Sequence, residues 1–145
     1  MTTLLAQLTD LHIREPGRLA YGRLDTAPFL RQAVASIGRL KQQPDAVVLT
    51  GDLTDFGRAD EYAHLADLLA PLPMPVYLMP GNHDDRDQLR RSFAAHTYLG
   101  TCDYVQYSVS IGEIQLIALD SVEQRKCAVR LCQNRIWTRT HHQLG

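Results

Sequence analysis

An apolar run that stops at a glycine and a carboxylate constrains the fold of this chain more than any other stretch. Residues 46–49 are Ala-Val-Val-Leu, and Gly51-Asp52 follows one residue later. The run predicts a buried strand, and the Gly-Asp pair predicts a tight turn that holds a carboxylate just outside the sheet. Two other apolar runs end in the same way, one before Asp10-Leu11-His12 and one before residues 81–84, Gly-Asn-His-Asp.

The segments between these runs have helical periodicity. Apolar residues recur at helical spacing from Leu30 to Leu40, behind a cap at Asp25 or Thr26, and Pro44 is expected to end that helix. A second amphipathic helix is predicted for residues 59–70, and a third for residues 86–95. Strands that alternate with helices predict a parallel βαβαβ sheet with right-handed crossovers.

A different pattern follows the third predicted helix. Residues 104–109 alternate between polar and apolar positions, residues 111–113 suit a turn, and residues 114–119 form a second β run. This pattern predicts an antiparallel hairpin added to the sheet. The predicted fold is therefore α/β, a βαβαβ parallel sheet followed by an antiparallel hairpin.

The ends of the three parallel strands carry the residues that we expect to bind metal. Ligands gather outside the carboxyl ends of parallel strands, so the three motifs should meet in space. We predict that Asp10, His12, Asp52 and Asn82 are metal ligands, because carboxylate, amide and imidazole donors suit divalent ions. Asp52, in the middle motif, is the candidate bridge between two metals. His83 is the candidate catalytic residue, which would donate to a phosphoryl oxygen or protonate a leaving group.

Each motif taken singly has a simpler explanation. Asp-x-His is most often ordinary surface chemistry, and the two glycine motifs also suit plain turns. Their coincidence at three successive strand ends favours metal binding. Asp55 and Asp84 are expected to orient the loops and the ligands instead of binding metal themselves. Mg²⁺, Mn²⁺, Fe²⁺ and Zn²⁺ are all left open, and the imidazole favours the last three.

The charge and cysteine content limit the partners and the compartment. The chain has 145 residues and a formal net charge of −1, so it offers no basic field to nucleic acid or to an anionic membrane. We expect neither as a partner, and a homo-oligomer is left open. The three cysteines include no Cys-x-x-Cys pair, which predicts free thiols in a reducing cytoplasm.

The three motifs together resemble the signature of the calcineurin-like metallophosphoesterase family: Asp-x-His, Gly-Asp-x-x-Asp and Gly-Asn-His-Asp, in that order. Residues 21–25, 44–48 and 80–86 resemble in particular its bacterial branch acting on cyclic nucleotides or glycerophosphodiesters. The resemblance implies the front half of a metallophosphoesterase α/β sandwich and a small phosphodiester substrate. It also implies a binuclear metal centre, with Asp10, His12 and Asp52 on one metal and Asp52 and Asn82 on the other. A metal-bound hydroxide would then attack phosphorus in line.

The chain departs from the family pattern after Ser121. We expect the N-terminal part of a metallophosphoesterase domain over residues 1–121 and an atypical tail over residues 122–145. The tail contains no Gly-His-x-His motif, and no strand precedes its pair His141-His142, which we do not assign as ligands. Truncation, or a change of reading frame after Ser121, would explain the tail.

The sequence therefore supports two main functions. The first is a metal-dependent phosphodiesterase. The alternative is a catalytically incomplete fragment that binds metal weakly or needs a missing second half, because four ligands leave at least one of two metals under-coordinated. A nuclease of the same family is disfavoured by the near-neutral charge.

Overall fold

Strands and helices alternate through most of residues 2–122, the part of the chain that the computed structural model describes. The first six elements are β1 (Leu5–Leu8), α1 (Ala27–Gly38), β2 (Ala46–Thr50), α2 (Ala59–Leu69), β3 (Val76–Met79) and α3 (Arg86–Ser92). A short 3-10 helix over Thr97–Leu99 precedes β4 (Tyr107–Ile111) and β5 (Ile114–Ala118). The predicted α/β order is confirmed.

The three parallel strands form one sheet in the order β1-β2-β3. The central strand, β2, is buried from Ala46 to Leu49, as its continuous apolar run predicts. Helices α1 and α2 contact each other, as expected where two successive right-handed crossovers place both helices on one face. Their buried apolar residues lie at helical spacing in the sequence: Ala27, Leu30, Val34, Ile37, Tyr62, Leu65, Leu68 and Leu69.

Two helices are shorter than their periodicity predicts. Helix α1 ends at Gly38, and Leu40, which we expected on its apolar face, is 47% exposed. The Gln43 side chain donates hydrogen bonds to the carbonyl oxygens of Gly38 and Leu40. It thereby replaces the backbone N–H donors that these carbonyls would have bonded if the helix had continued. Helix α3 likewise ends at Ser92. No helix within residues 2–122 is long and apolar enough to cross a membrane.

The predicted antiparallel hairpin is confirmed as β4 and β5. Within residues 2–122 these strands pair only with each other and do not join the parallel sheet, so the expected attachment of the hairpin to that sheet was wrong. Tyrosine hydroxyls occupy the free edge of β3 instead. The Tyr98 hydroxyl accepts from Leu78 N at 2.9 Å and donates to Val76 O at 3.0 Å, and the Tyr107 hydroxyl donates to Leu78 O at 3.0 Å. These side chains satisfy the backbone groups that a fourth strand would otherwise bond.

Candidate metal centre

The loops that follow β1 and β2 are joined by hydrogen bonds that continue the parallel ladder past the strand ends. Asp10 N donates to Gly51 O at 3.2 Å, and His12 N donates to Asp52 O at 2.9 Å. Gly51 N in turn donates to the carbonyl of Met79, the last residue of β3. The sheet register therefore places the first two motifs side by side, as their positions at parallel strand ends predict.

The backbone is strained at three of the predicted ligands. The φ angles are 54° at Asp10, 44° at His12 and 47° at Asp52, all in the left-handed region that non-glycine residues rarely adopt. Each such residue costs about 1–2 kcal/mol. Strain of this kind persists where the surrounding structure enforces it, and it is concentrated at functional sites.

The side chains of the first two motifs converge on a common space. The first group consists of Asp10, His12 and Asp52, each of which offers one donor atom, and these atoms lie within 4.8 Å of one another. By the same measure, a second group consists of His12, Asp55 and His83. His12 joins the two groups, because its Nε2 is 3.8 Å from Asp52 Oδ2 and its Nδ1 is 3.6 Å from Asp55 Oδ1. Carboxylates and imidazoles at this separation fit a divalent transition metal.

The third motif is attached to the Asp52 carboxylate. Asp52 Oδ1 accepts a hydrogen bond from His83 N at 3.1 Å. A Cβ atom on Gly81 would lie 2.1 Å from the same oxygen, so only glycine allows this approach. Asn82 lies between these two residues and is exposed. The structure thus places the predicted ligand Asn82 in the loop that contacts Asp52.

The His83 ring is oriented by a backbone carbonyl. Its Nδ1 lies 2.9 Å from Asp55 O, and because a carbonyl can only accept, Nδ1 carries the hydrogen. The ring is edge-on to His12, with 4.7 Å between centroids, and its side chain is 29% exposed. Within residues 2–122, the other ring nitrogen of His83, Nε2, has no hydrogen-bond partner.

Asp84 holds the second and third motifs together. Its carboxylate accepts five hydrogen bonds, at 2.8–3.1 Å, from Gly81 N, Leu53 N, Thr54 N, Thr54 Oγ1 and Tyr62 Oη. Burial raises the pKa of Asp84, and its hydrogen bonds act in the opposite direction. The structure agrees with the expectation that Asp84 orients the loops.

Asp55 connects the site to a cluster of charged residues on the loop after β1. Its Oδ2 accepts from Arg14 Nη1 at 3.3 Å and from Tyr21 N at 3.4 Å. Arg14 also pairs with Glu15 and with the fully buried Glu61. The hydrogen bond from Arg14 holds the pKa of Glu15 below its usual range, whereas burial raises that of Glu61. Asp55 orients these loops, and it also offers an oxygen to the second donor group.

Tyr21 is a site residue that the sequence patterns do not reveal. Its hydroxyl lies 3.0 Å from Nε2 and 3.2 Å from Nδ1 of His12. Desolvation and nearby carboxylates raise the pKa of Tyr21. The loop is held by an isolated antiparallel bridge between Ala20 and Leu24, which no hydrophobic period marks. The pair His141-His142, which we do not assign as ligands, and the tail after Val122 lie outside the described residues.

Comparison with known proteins adds independent support. A family model described as calcineurin-like phosphoesterase matches residues 3–135. A probable glycerophosphodiester phosphodiesterase of Arcobacter nitrofigilis is 32% identical over 92% of this chain and 49% of its own length. A 3′,5′-cyclic adenosine monophosphate phosphodiesterase of Pseudomonas aeruginosa is 32% identical over 83% of this chain and 42% of its own length. A probable cyclic nucleotide phosphodiesterase of Rhodopseudomonas palustris is 46% identical over 59% of this chain.

These matches agree with the motifs and with the fold. The chain spans about half the length, or less, of these relatives. The family match covers most of the chain, and the parallel sheet brings the first two signature motifs to one edge. The chain therefore belongs to the calcineurin-like phosphoesterase family.

Proposed function

We propose that this protein is a metal-dependent phosphodiester hydrolase that acts on cyclic nucleotides or glycerophosphodiesters. The observation that carries the proposal is the convergence of Asp10, His12 and Asp52, whose donor atoms lie within 4.8 Å of one another at the ends of adjacent strands. The names of the similar proteins support the substrate class, since they refer to cyclic nucleotides and to glycerophosphodiesters.

The proposed centre contains two divalent ions, with Mn²⁺ or Fe²⁺ preferred. Asp10, His12 and Asp52 would hold one ion, and Asp52 with Asn82 would hold the other. Bound divalent ions supply Lewis acidity, which polarises a phosphoryl oxygen and lowers the pKa of an attacking water. The contacts of Asp52 support its role as the bridge, because Oδ2 faces His12 and Oδ1 contacts the third motif.

His83 is the proposed proton donor. Because Asp55 O fixes a hydrogen on Nδ1, the atom that can face the substrate is Nε2, which donates to a phosphoryl or leaving-group oxygen in the imidazolium form of the ring. Asp55 therefore acts as a positioning residue for His83 through its backbone carbonyl. The same residue offers its side chain to His12, so one loop orients both imidazoles.

The test is hydrolysis of bis(p-nitrophenyl) phosphate, 3′,5′-cyclic AMP and glycerophosphocholine by the purified chain, with and without added Mn²⁺. We expect Mn²⁺-stimulated turnover that Asp52→Ala abolishes. Asp67→Ala is the matched control, because Asp67 is exposed on α2. Turnover that is independent of metal, or equal in wild type and Asp52→Ala, contradicts the proposal.

A second candidate is a chain that binds metal weakly and does not turn over by itself. The span of about half the length of the relatives favours it, and so do the predicted ligands, which number only four: Asp10, His12, Asp52 and Asn82. It predicts no hydrolysis under saturating Mn²⁺. Two tight Mn²⁺ sites in a calorimetric titration of the wild-type chain would rule it out.

A further inference from the structure

A pocket of about 500 Å³ is lined by residues of the loop between β1 and α1 and by Arg58, which precedes α2. Its volume is in the range of small-molecule sites. Four of the side chains that line it are charged: Arg14, Glu15, Arg18 and Arg58. Three of these four residues are arginines, an excess of positive charge that is unexpected in a chain whose net charge is −1.

The pocket shares a wall with the candidate metal centre. Gly22 lines the pocket, and the preceding Tyr21 packs on His12 with 5.0 Å between ring centroids. Arg14 also lines the pocket, and its Nη1 lies 3.3 Å from the Asp55 carboxylate that faces His12. One layer of side chains therefore separates the pocket from the donor atoms.

Two of the lining charges compensate each other. The Arg14 guanidinium lies within 3.3 Å of carboxylate oxygens of Glu15, Asp55 and Glu61. Glu15 receives hydrogen bonds from Arg14 at both of its oxygens, at 3.1 and 3.2 Å. The carboxylates around Arg14 therefore compensate its charge, and Arg14 is not available to a ligand.

The other two arginines are available to a ligand. Arg18 has a 72% exposed side chain, and its contact with Glu15 is 3.7 Å long. Arg58 forms no ion pair within residues 2–122, and its guanidinium stacks 5.1 Å from the centre of the Phe56 ring. A stacked guanidinium keeps its N–H edge for a planar anion, which it can bind with two parallel hydrogen bonds.

We propose that this pocket binds an anionic oxygen group, a carboxylate or a second phosphate, carried by one substituent of the phosphodiester. The inference rests on the proposed function and narrows its substrate class. Arg58 and Arg18 bind the anionic group while the diester occupies the neighbouring centre. Diesters that carry only a cationic substituent bind less well than diesters that carry an anionic group, because the positive charges of Arg18 and Arg58 repel the cation.

The first test compares glycerophosphoserine with glycerophosphoethanolamine, which differ by one carboxylate. We expect wild type to have the higher kcat/KM for the serine diester, and Arg18→Gln/Arg58→Gln to lower the ratio of the two values about tenfold. Arg31→Gln is the control, because Arg31 is exposed on α1 and does not line the pocket. A ratio that the double substitution leaves unchanged overturns the proposal.

The second test does not depend on catalysis. Tricarballylate, a tricarboxylate, is titrated calorimetrically into protein freed of metal on a chelating resin. We expect binding by wild type and by Arg31→Gln, and binding about tenfold weaker by the double variant. If wild type does not bind tricarballylate, or if wild type, Arg31→Gln and the double variant bind it equally well, the proposal of an anion subsite is overturned. Binding without hydrolysis of any diester supports the subsite and contradicts the proposed function.

Discussion

Replacing Gly81 by alanine puts a methyl group against the carboxylate that we propose as the metal bridge. The added Cβ would lie 2.1 Å from Asp52 Oδ1 and 2.2 Å from Asp52 N. One of these atoms belongs to the backbone, so a change of side-chain rotamer cannot relieve both contacts. Either the loop of residues 80–84 or the Asp52 turn must move.

The size of that movement follows from ordinary contact distances. Non-bonded atoms of this kind begin normal contact near 3.4 Å, so the two loops must separate by about 1 Å. Metal–ligand distances tolerate only about 0.2 Å. We therefore expect Gly81→Ala to weaken Mn²⁺ binding about 100-fold, the upper end of what outer contacts of a metal site produce. Overpacking should also lower the free energy of unfolding by about 2 kcal/mol.

Calorimetric titration with Mn²⁺ measures the first effect, and urea unfolding of the metal-free protein measures the second. Gly38→Ala is the matched control, because no atom lies within 4 Å of the added Cβ and the residue is in a helix. It should bind Mn²⁺ as wild type does and be slightly more stable, since alanine has the higher helix propensity. A folded Gly81→Ala protein whose Mn²⁺ affinity is within threefold of wild type refutes the reasoning.

Three further predictions concern packing, association and pH. Arg86→Met should lower the free energy of unfolding by about 3 kcal/mol, because it leaves the buried Asp120 carboxylate without its cationic partner. In the wild-type protein this carboxylate accepts hydrogen bonds from Arg86 at 2.6 and 2.8 Å. A loss below about 1 kcal/mol in urea unfolding argues against this prediction. The wild-type chain should self-associate. Tyr98→Phe should self-associate more, because it leaves backbone groups at the edge of β3 without a partner. Light scattering that shows a stable monomer for both proteins contradicts this prediction. Burial lowers the pKa of His96 below its ordinary 6.5, so the unfolded chain binds the proton more tightly and stability falls as pH drops below about 6.5. Urea unfolding measures the free energy of unfolding at pH 5.5 and at pH 7.5. The difference between these two values should be smaller in His96→Asn than in wild type, and an equal difference counts against the assignment of this pH dependence to His96.

The parallel strands and the convergence of the first two motifs could be predicted from the sequence because both depend on short-range patterns. Strand β3, Val76–Met79, coincides with the apolar run before residues 81–84, since prolines flank that run on both sides. Asp10 and Asp52 lie together because parallel strands in register carry their carboxyl ends to one edge. The five hydrogen bonds that Asp84 accepts agree with its expected role in orienting the loops.

The features that were not predicted depend on tertiary contacts. Left-handed φ angles at Asp10, His12 and Asp52 are imposed by hydrogen bonds between loops, which no residue pattern encodes. The hairpin does not pair with β3, and the hydroxyl groups of Tyr98 and Tyr107 bond the backbone at that edge instead. The cytoplasmic location, the absence of a nucleic-acid partner, the oligomeric state and the domain boundary after Ser121 stay predictions.

The most direct test of the central claim is a crystal of this chain grown with Mn²⁺ and measured at the manganese absorption edge. We predict one anomalous peak within coordination distance of Asp10, His12 and Asp52, and a second between Asp52 and Asn82. Substitution of Asp52 by alanine should remove both peaks. Peaks only at other positions, or none near Asp52 at saturating Mn²⁺, would contradict the account.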